Sequence, residues 1–99
     1  MSDCKQYGRE FAEEVERDAI LQLAAQKKQT GLMNVKFTFP FSDFFMMSCH
    51  YQLPVSLSGA RLARQLAQDF VSQVAAEAET RGEDFQPNRI DFLVIIPKD

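Results

Sequence analysis

The sequence predicts an α+β domain with element order α-β-β-α-β, a three-stranded sheet with two helices packed on one face of it. Three observations predict this. Two long segments each carry a single apolar stripe at helical spacing. Three shorter segments either alternate apolar with polar residues or are dense in β-branched and aromatic ones. Neither helix has a second apolar stripe, so both most simply lie on the same face of the sheet.

The first helix is read over Asp3 to Thr30. Tyr7, Phe11, Val15, Ala19 and Leu23 recur every four residues, and Ala12, Ile20 and Ala24 widen the stripe. Asp3 with Gln6 fits a capping-box start, and Lys27 and Lys28 sit in the last turn, where the helix dipole favours cations. Gly31 is the expected C-cap. Gly8 weakens the first turns.

In NVKFTFPF, Val35, Phe37 and Phe39 alternate with Lys36 and Thr38, the pattern of a strand with one buried face. Pro40 cannot donate to a ladder and belongs near a strand end or on an edge. Ser42 and Asp43 supply turn residues. FFMMSCHYQL admits two readings, a strand or a short helix capped by Ser42, and its aromatics favour the strand. Ser58-Gly59 opens a second helix through Thr80, with Leu62, Leu66, Phe70 and Val74 as its spine, Ala63, Ala67 and Ala78 beside them, and Arg61, Gln65, Gln68, Ser72 and Glu79 opposite. Gly82 ends it, and residues 83–88 form a polar loop. RIDFLVII is the strongest strand signal, stopped by Pro97. If the second and third strands run parallel, the connection between them is expected to be right-handed.

Ninety-nine residues make one domain, 1–99, and the mix of 45% apolar with 25% charged residues is globular composition. The longest apolar run, Phe92 to Pro97, is too short to span a bilayer, and MSDCKQYGRE lacks the apolar centre of a signal peptide. A cytoplasmic protein with no membrane contact is the expectation. Net charge is −3, which speaks against phosphate binding as the main business. Cys4 and Cys49 are read as free thiols, and with His50 as the only histidine no zinc site can be assembled. No metal and no cofactor are expected.

Catalytic signatures are missing as well. Cys49 and His50 are neighbours, and on a strand neighbours point to opposite faces. No nucleophile-elbow, zincin, phosphate-loop or dinucleotide pattern occurs. What stands out is FTFPFSDFFMMSCHY, which holds five of the nine phenylalanines and two of the four methionines. In the last strand Ile90, Phe92, Val94 and Ile96 can face the helices, which turns Leu93 and Ile95 away. In the second strand either choice of face leaves two bulky residues outside, Phe44 and Met46 or Phe45 and Met47. Phe44, Phe45, Met46, Met47, Leu93 and Ile95 are therefore the candidate partner interface, and a second copy of the chain related by a two-fold axis is the commonest occupant of such a patch. If residues 44–53 were helical, or residues 83–88 folded over the sheet, the patch would shrink to ordinary core.

The second helix carries Arg61 and Arg64 in its first turns and Glu77 and Glu79 in its last, an order that opposes its own dipole. One reading is an anion site, with Ser58, Gly59, Arg61 and Arg64 holding a phosphate ligand or a nucleic acid. The other pairs the arginines with Glu13, Glu14 or Glu16, and it is favoured because Ser-Gly-Ala-Arg is not a specific phosphate-loop pattern. The α-β-β-α-β order is similar to that of type II KH domains, in element order alone. KH modules clamp a nucleic-acid backbone with a G-x-x-G loop, and Ser58-Gly59-Ala60-Arg61 lacks the second glycine. No family is assigned. The expectation is a small non-catalytic regulatory or accessory protein that binds another protein, first of all itself as a homodimer.

Overall fold

The stripe through Phe11, Ala12, Val15 and Ala19 is buried on one side of helix α1, Ser2–Gln26, with Tyr7 and Leu23 packed against its ends. The computed structural model describes residues 2–27, 30–42 and 44–97, with side chains from Gln6 onward. The expected cap at Asp3, the thiol of Cys4, and Lys28 lie outside those described residues. Helix α1 stops four residues earlier than its pattern suggested. Lys27 takes the left-handed conformation (φ 53°) in which helices commonly terminate, and Gly31 (φ 95°) opens the next strand instead of capping the helix.

Strand β1, Leu32–Ser42, buries Met33, Val35, Phe37, Phe39 and Phe41 and turns the residues between them to the other face. Strand β2, Phe45–Pro54, returns antiparallel, so the ambiguous segment is a strand. The hairpin turn is held by Ser42, whose hydroxyl accepts from the Phe44 N–H (3.2 Å), and the register shifts between Pro40 and Ser42. Strand β3, Asp91–Ile95, pairs antiparallel on the far side of β1, giving the order β2-β1-β3. That pairing ends at Thr38, so Pro40 sits in the central strand beyond the last residue that β3 could bond.

Helix α2, Leu57–Arg81, begins one residue before the expected start. Ser56 is its N-cap, with Oγ accepting from the Gly59 N–H (3.1 Å). Gly82 closes it in the left-handed conformation (φ 67°), its N–H reaching Glu79 O while the Glu83 N–H reaches Ala78 O (2.9 Å), a Schellman arrangement. Ser56→Ala is expected to lower stability by about 1 kcal/mol, read as a lower urea midpoint with an unchanged slope.

The face that α2 buries is Ala60, Ala63, Ala67, Phe70, Val71, Val74 and Ala78. Phe70 and Val74 of the expected spine and the alanines beside it are buried, while Leu62 is exposed and Leu66 half-buried. The reason is the neighbour. Packed against α1, the helix needs small side chains at the contact, and the alanines supply them. Both helices lie on one face of the sheet, α1 towards β3 and α2 towards β2, with Phe37 at the centre. Its ring meets Phe11 of α1 at 5.9 Å and Phe70 of α2 at 5.6 Å. The loop after α2 holds a short 3₁₀ turn, Pro87–Arg89, and sends Phe85 to Phe39 on the helix side (6.0 Å), so it does not cover the outer face. The Cα trace is 16 Å in its thinnest extent, room for two layers and no third.

Candidate functional site

The pleat decides which side chains stand on the uncovered face. Pairing in register puts Asn34, Lys36, Thr38 and Pro40 of β1 there, with Met46, Ser48, His50 and Gln52 of β2, and Asp91, Leu93 and Ile95 of β3. Asn34, Lys36, His50, Gln52, Leu93 and Ile95 line a shallow depression of about 510 Å³ across the three strands. Cys49 lies on the opposite, helix-facing side, half-buried beside Tyr51 and Met47. Cys49 and His50 are thus directed apart, as adjacent strand residues must be. Among the described residues no cluster of three metal-ligating side chains forms.

The six expected interface residues fall into three places. Met46 (56% exposed), Leu93 (52%) and Ile95 (47%) stand on the uncovered face. Met46 is on β2 and the other two are on β3, with Lys36, Thr38, Ser48 and His50 on the strip between. Phe44 occupies the hairpin tip, 98% exposed. Phe45 and Met47 belong to the helix side. Phe45 stacks on Phe41 (5.6 Å) beneath the Arg81 guanidinium, 4.5 Å from its ring centre, and Met47 packs against the core. Arg81 is held in turn by Glu77 (3.6 Å) and Glu83 (3.8 Å).

At the start of α2, the Gly59 N–H is committed to the Ser56 hydroxyl and the Ala60 N–H to the Ser56 carbonyl (3.0 Å). Ser58 and Arg61 are exposed, while Arg64 reaches across to Glu16 (3.4 Å) and Glu13 (3.9 Å) of α1. Arg64 is therefore engaged in the helix-to-helix pairing that the sequence offered as the simpler reading.

A feature that no residue pattern announced concerns the two sheet edges. The Val55 N–H donates to Gly31 O (3.0 Å) in the same register as the β1–β2 ladder. Antiparallel pairs alternate between bonded and non-bonded. Odd-numbered residues of β1 and β2 therefore bond one another, and even-numbered residues of β2 turn their N–H and C=O groups outward. On β3 the same alternation turns Phe92 and Val94 outward. Two of those four outward groups are already used: the Phe92 N–H donates to Asp91 Oδ1 (2.8 Å), and Val94 O accepts from Gln22 Nε2 of α1 (2.7 Å). On β2 the outward N–H and C=O groups of Met46, Ser48, His50 and Gln52 have no partner among the described residues. One edge is blunted and the other is open.

Two tyrosines are perturbed. Burial pushes the Tyr51 phenol above its usual pKa, with the adjacent Cys49 thiol and the Asp69 carboxylate of α2 adding to the shift. Burial, with Glu14 and Glu10, does the same to Tyr7. Asp69 therefore lies near Tyr51, which places this flank of α2 along the β2 edge. No described helix is long and apolar enough to cross a membrane. Compared with known proteins, the chain matches no family model, no curated protein and no solved structure.

Proposed function

We propose that this protein acts by binding rather than by catalysis, as a regulatory or accessory protein whose first partner is a second copy of itself. The observation that carries the reading is a two-layer domain with one sheet face uncovered and bulky apolar side chains standing on it, Met46, Leu93 and Ile95, and with Phe44 exposed at the hairpin tip. Exposed apolar surface costs about 25 cal/mol for each Å² kept in water, and contact with another protein recovers that cost. The flexible thioether of Met46 adapts to a partner's contour.

Leu93→Glu tests the reading. Its side chain is outside the core, so the variant is expected to keep its helical circular dichroism and its melting temperature within a few degrees while the assembly weakens or dissociates. Met46→Glu should behave alike. If either substitution unfolds the domain, or leaves assembly untouched at every concentration, the uncovered face is not the contact. The anion-site reading has no observation to favour it here, because Arg64 and the Gly59 N–H already have partners.

A further inference from the structure

We infer that two copies of this chain join β2 to β2, antiparallel, about a two-fold axis at Cys49, forming one six-stranded sheet. The inference rests on the self-association proposed above; the edge contact leaves Leu93 and Ile95 of β3 outside it, so Leu93→Glu reads the open face and the tests below read the edge.

Three observations carry it. First, the two edges are treated differently within the same molecule: α1 and Asp91 occupy half of the outward groups of β3, while β2 keeps four outward N–H and four outward C=O groups unpaired among the described residues. Second, β2 lacks the devices that protect edges. It spans ten residues, Phe45–Pro54, and contains no Asp, Glu, Lys or Arg, with its only proline at the last position.

Third, the strand is complementary to itself. Two edge strands can share one sheet, with both helix layers on the same side, only if even residues meet even ones. Axes at Cys49 and at His50 both do this over nine residues, and only the one at Cys49 keeps Pro54, which has no N–H, out of the bonded pairs. Phe45 then meets Leu53, and Met47 meets Tyr51, on the helix side. Ser48 meets His50, and Met46 meets Gln52, on the outer side. The four outward-turned residues all fall in bonded pairs, which satisfies every free donor and acceptor on both edges.

The geometry predicts a chemical signature. Cys49 meets its counterpart in a non-bonded pair, where Cα atoms stand about 4.5 Å apart, within the range a disulfide spans. In full-length protein carrying Cys4→Ser, diamide should accept the two protons and two electrons from a pair of Cys49 thiols and yield a covalent dimer that dithiothreitol reverses. Cys49→Ser should abolish it. His50→Pro gives an independent test. Its N–H points away from β1, so proline spares the internal ladder but deletes a bond on each side of the axis. The expected result is a folded chain whose dimer is weakened about a hundredfold or more. Ser48→Pro serves the same purpose if His50→Pro does not fold. A dimer that neither cross-links through Cys49 nor responds to proline overturns the edge pairing and leaves self-association through the open face standing. A monomeric wild type overturns both, and the β2 edge would then be open to a strand of another protein.

Discussion

Phe37→Ala is expected to remove about 3–5 kcal/mol of folding stability, the cost of emptying a phenylalanine site in a packed core. Phe37 is fully buried in the central strand, and it is where both layers meet. Its ring touches Phe11 on α1, Phe70 on α2 and Tyr51 on β2, with centroid separations from 5.6 to 6.1 Å. Neither helix can move in to fill the hole without leaving the other. Small domains hold only about 5–15 kcal/mol in total, so the variant should lose much of its cooperative urea transition. A midpoint shift worth less than about 1 kcal/mol would show that the ring is not the joint between the layers.

Gly59→Ala is expected to be nearly as damaging for the opposite reason. A methyl group built on Gly59 would overlap the carbonyl oxygen of Pro54 and lie 2.9 Å from its carbonyl carbon, both backbone atoms. Flexible side chains can give way; the end of β2 cannot without dragging the first turn of α2 away from the sheet. The cost should reach or exceed the upper end of overpacking penalties, about 3 kcal/mol. Gly59 was singled out in the sequence as part of a candidate anion site at the helix start. Its close approach to the β2 terminus explains the glycine without any ligand, and an alanine variant of wild-type stability would contradict that explanation.

The fold was legible because its signals are local. One apolar stripe per helix, alternation in Val35–Phe39, and the β-branched run before Pro97 each report a single element, and each element formed. The misreadings have two causes, and the first is that hydrophobicity does not measure fit. Leu62 and Leu66 outrank Ala63 and Ala67 on any hydropathy scale, yet the contact with α1 selected the alanines. The end of α1 was obscured because Lys27 adopts a conformation usually left to glycine.

The candidate site was legible only in part. Alternation identified Leu93 and Ile95 as outward residues, since every second residue of β3 reaches the core. It left two choices for Phe44–Met47, because bulky residues occupy both phases of β2 there. Pairing with β1 resolves them, sending Met46 outward and Met47 inward. The contrast between the edges could not be read at all. It depends on the strand order β2-β1-β3 and on a hydrogen bond from Gln22 to Val94, residues 72 positions apart.

The central claim is that surface left uncovered by the two-layer fold is covered by a second copy of the chain. Light scattering behind a sizing column tests it most directly, across a dilution series of the wild-type protein. The account predicts a mass of twice the 11.3 kDa chain that persists into the low-micromolar range. A mass of one chain at every concentration would contradict it.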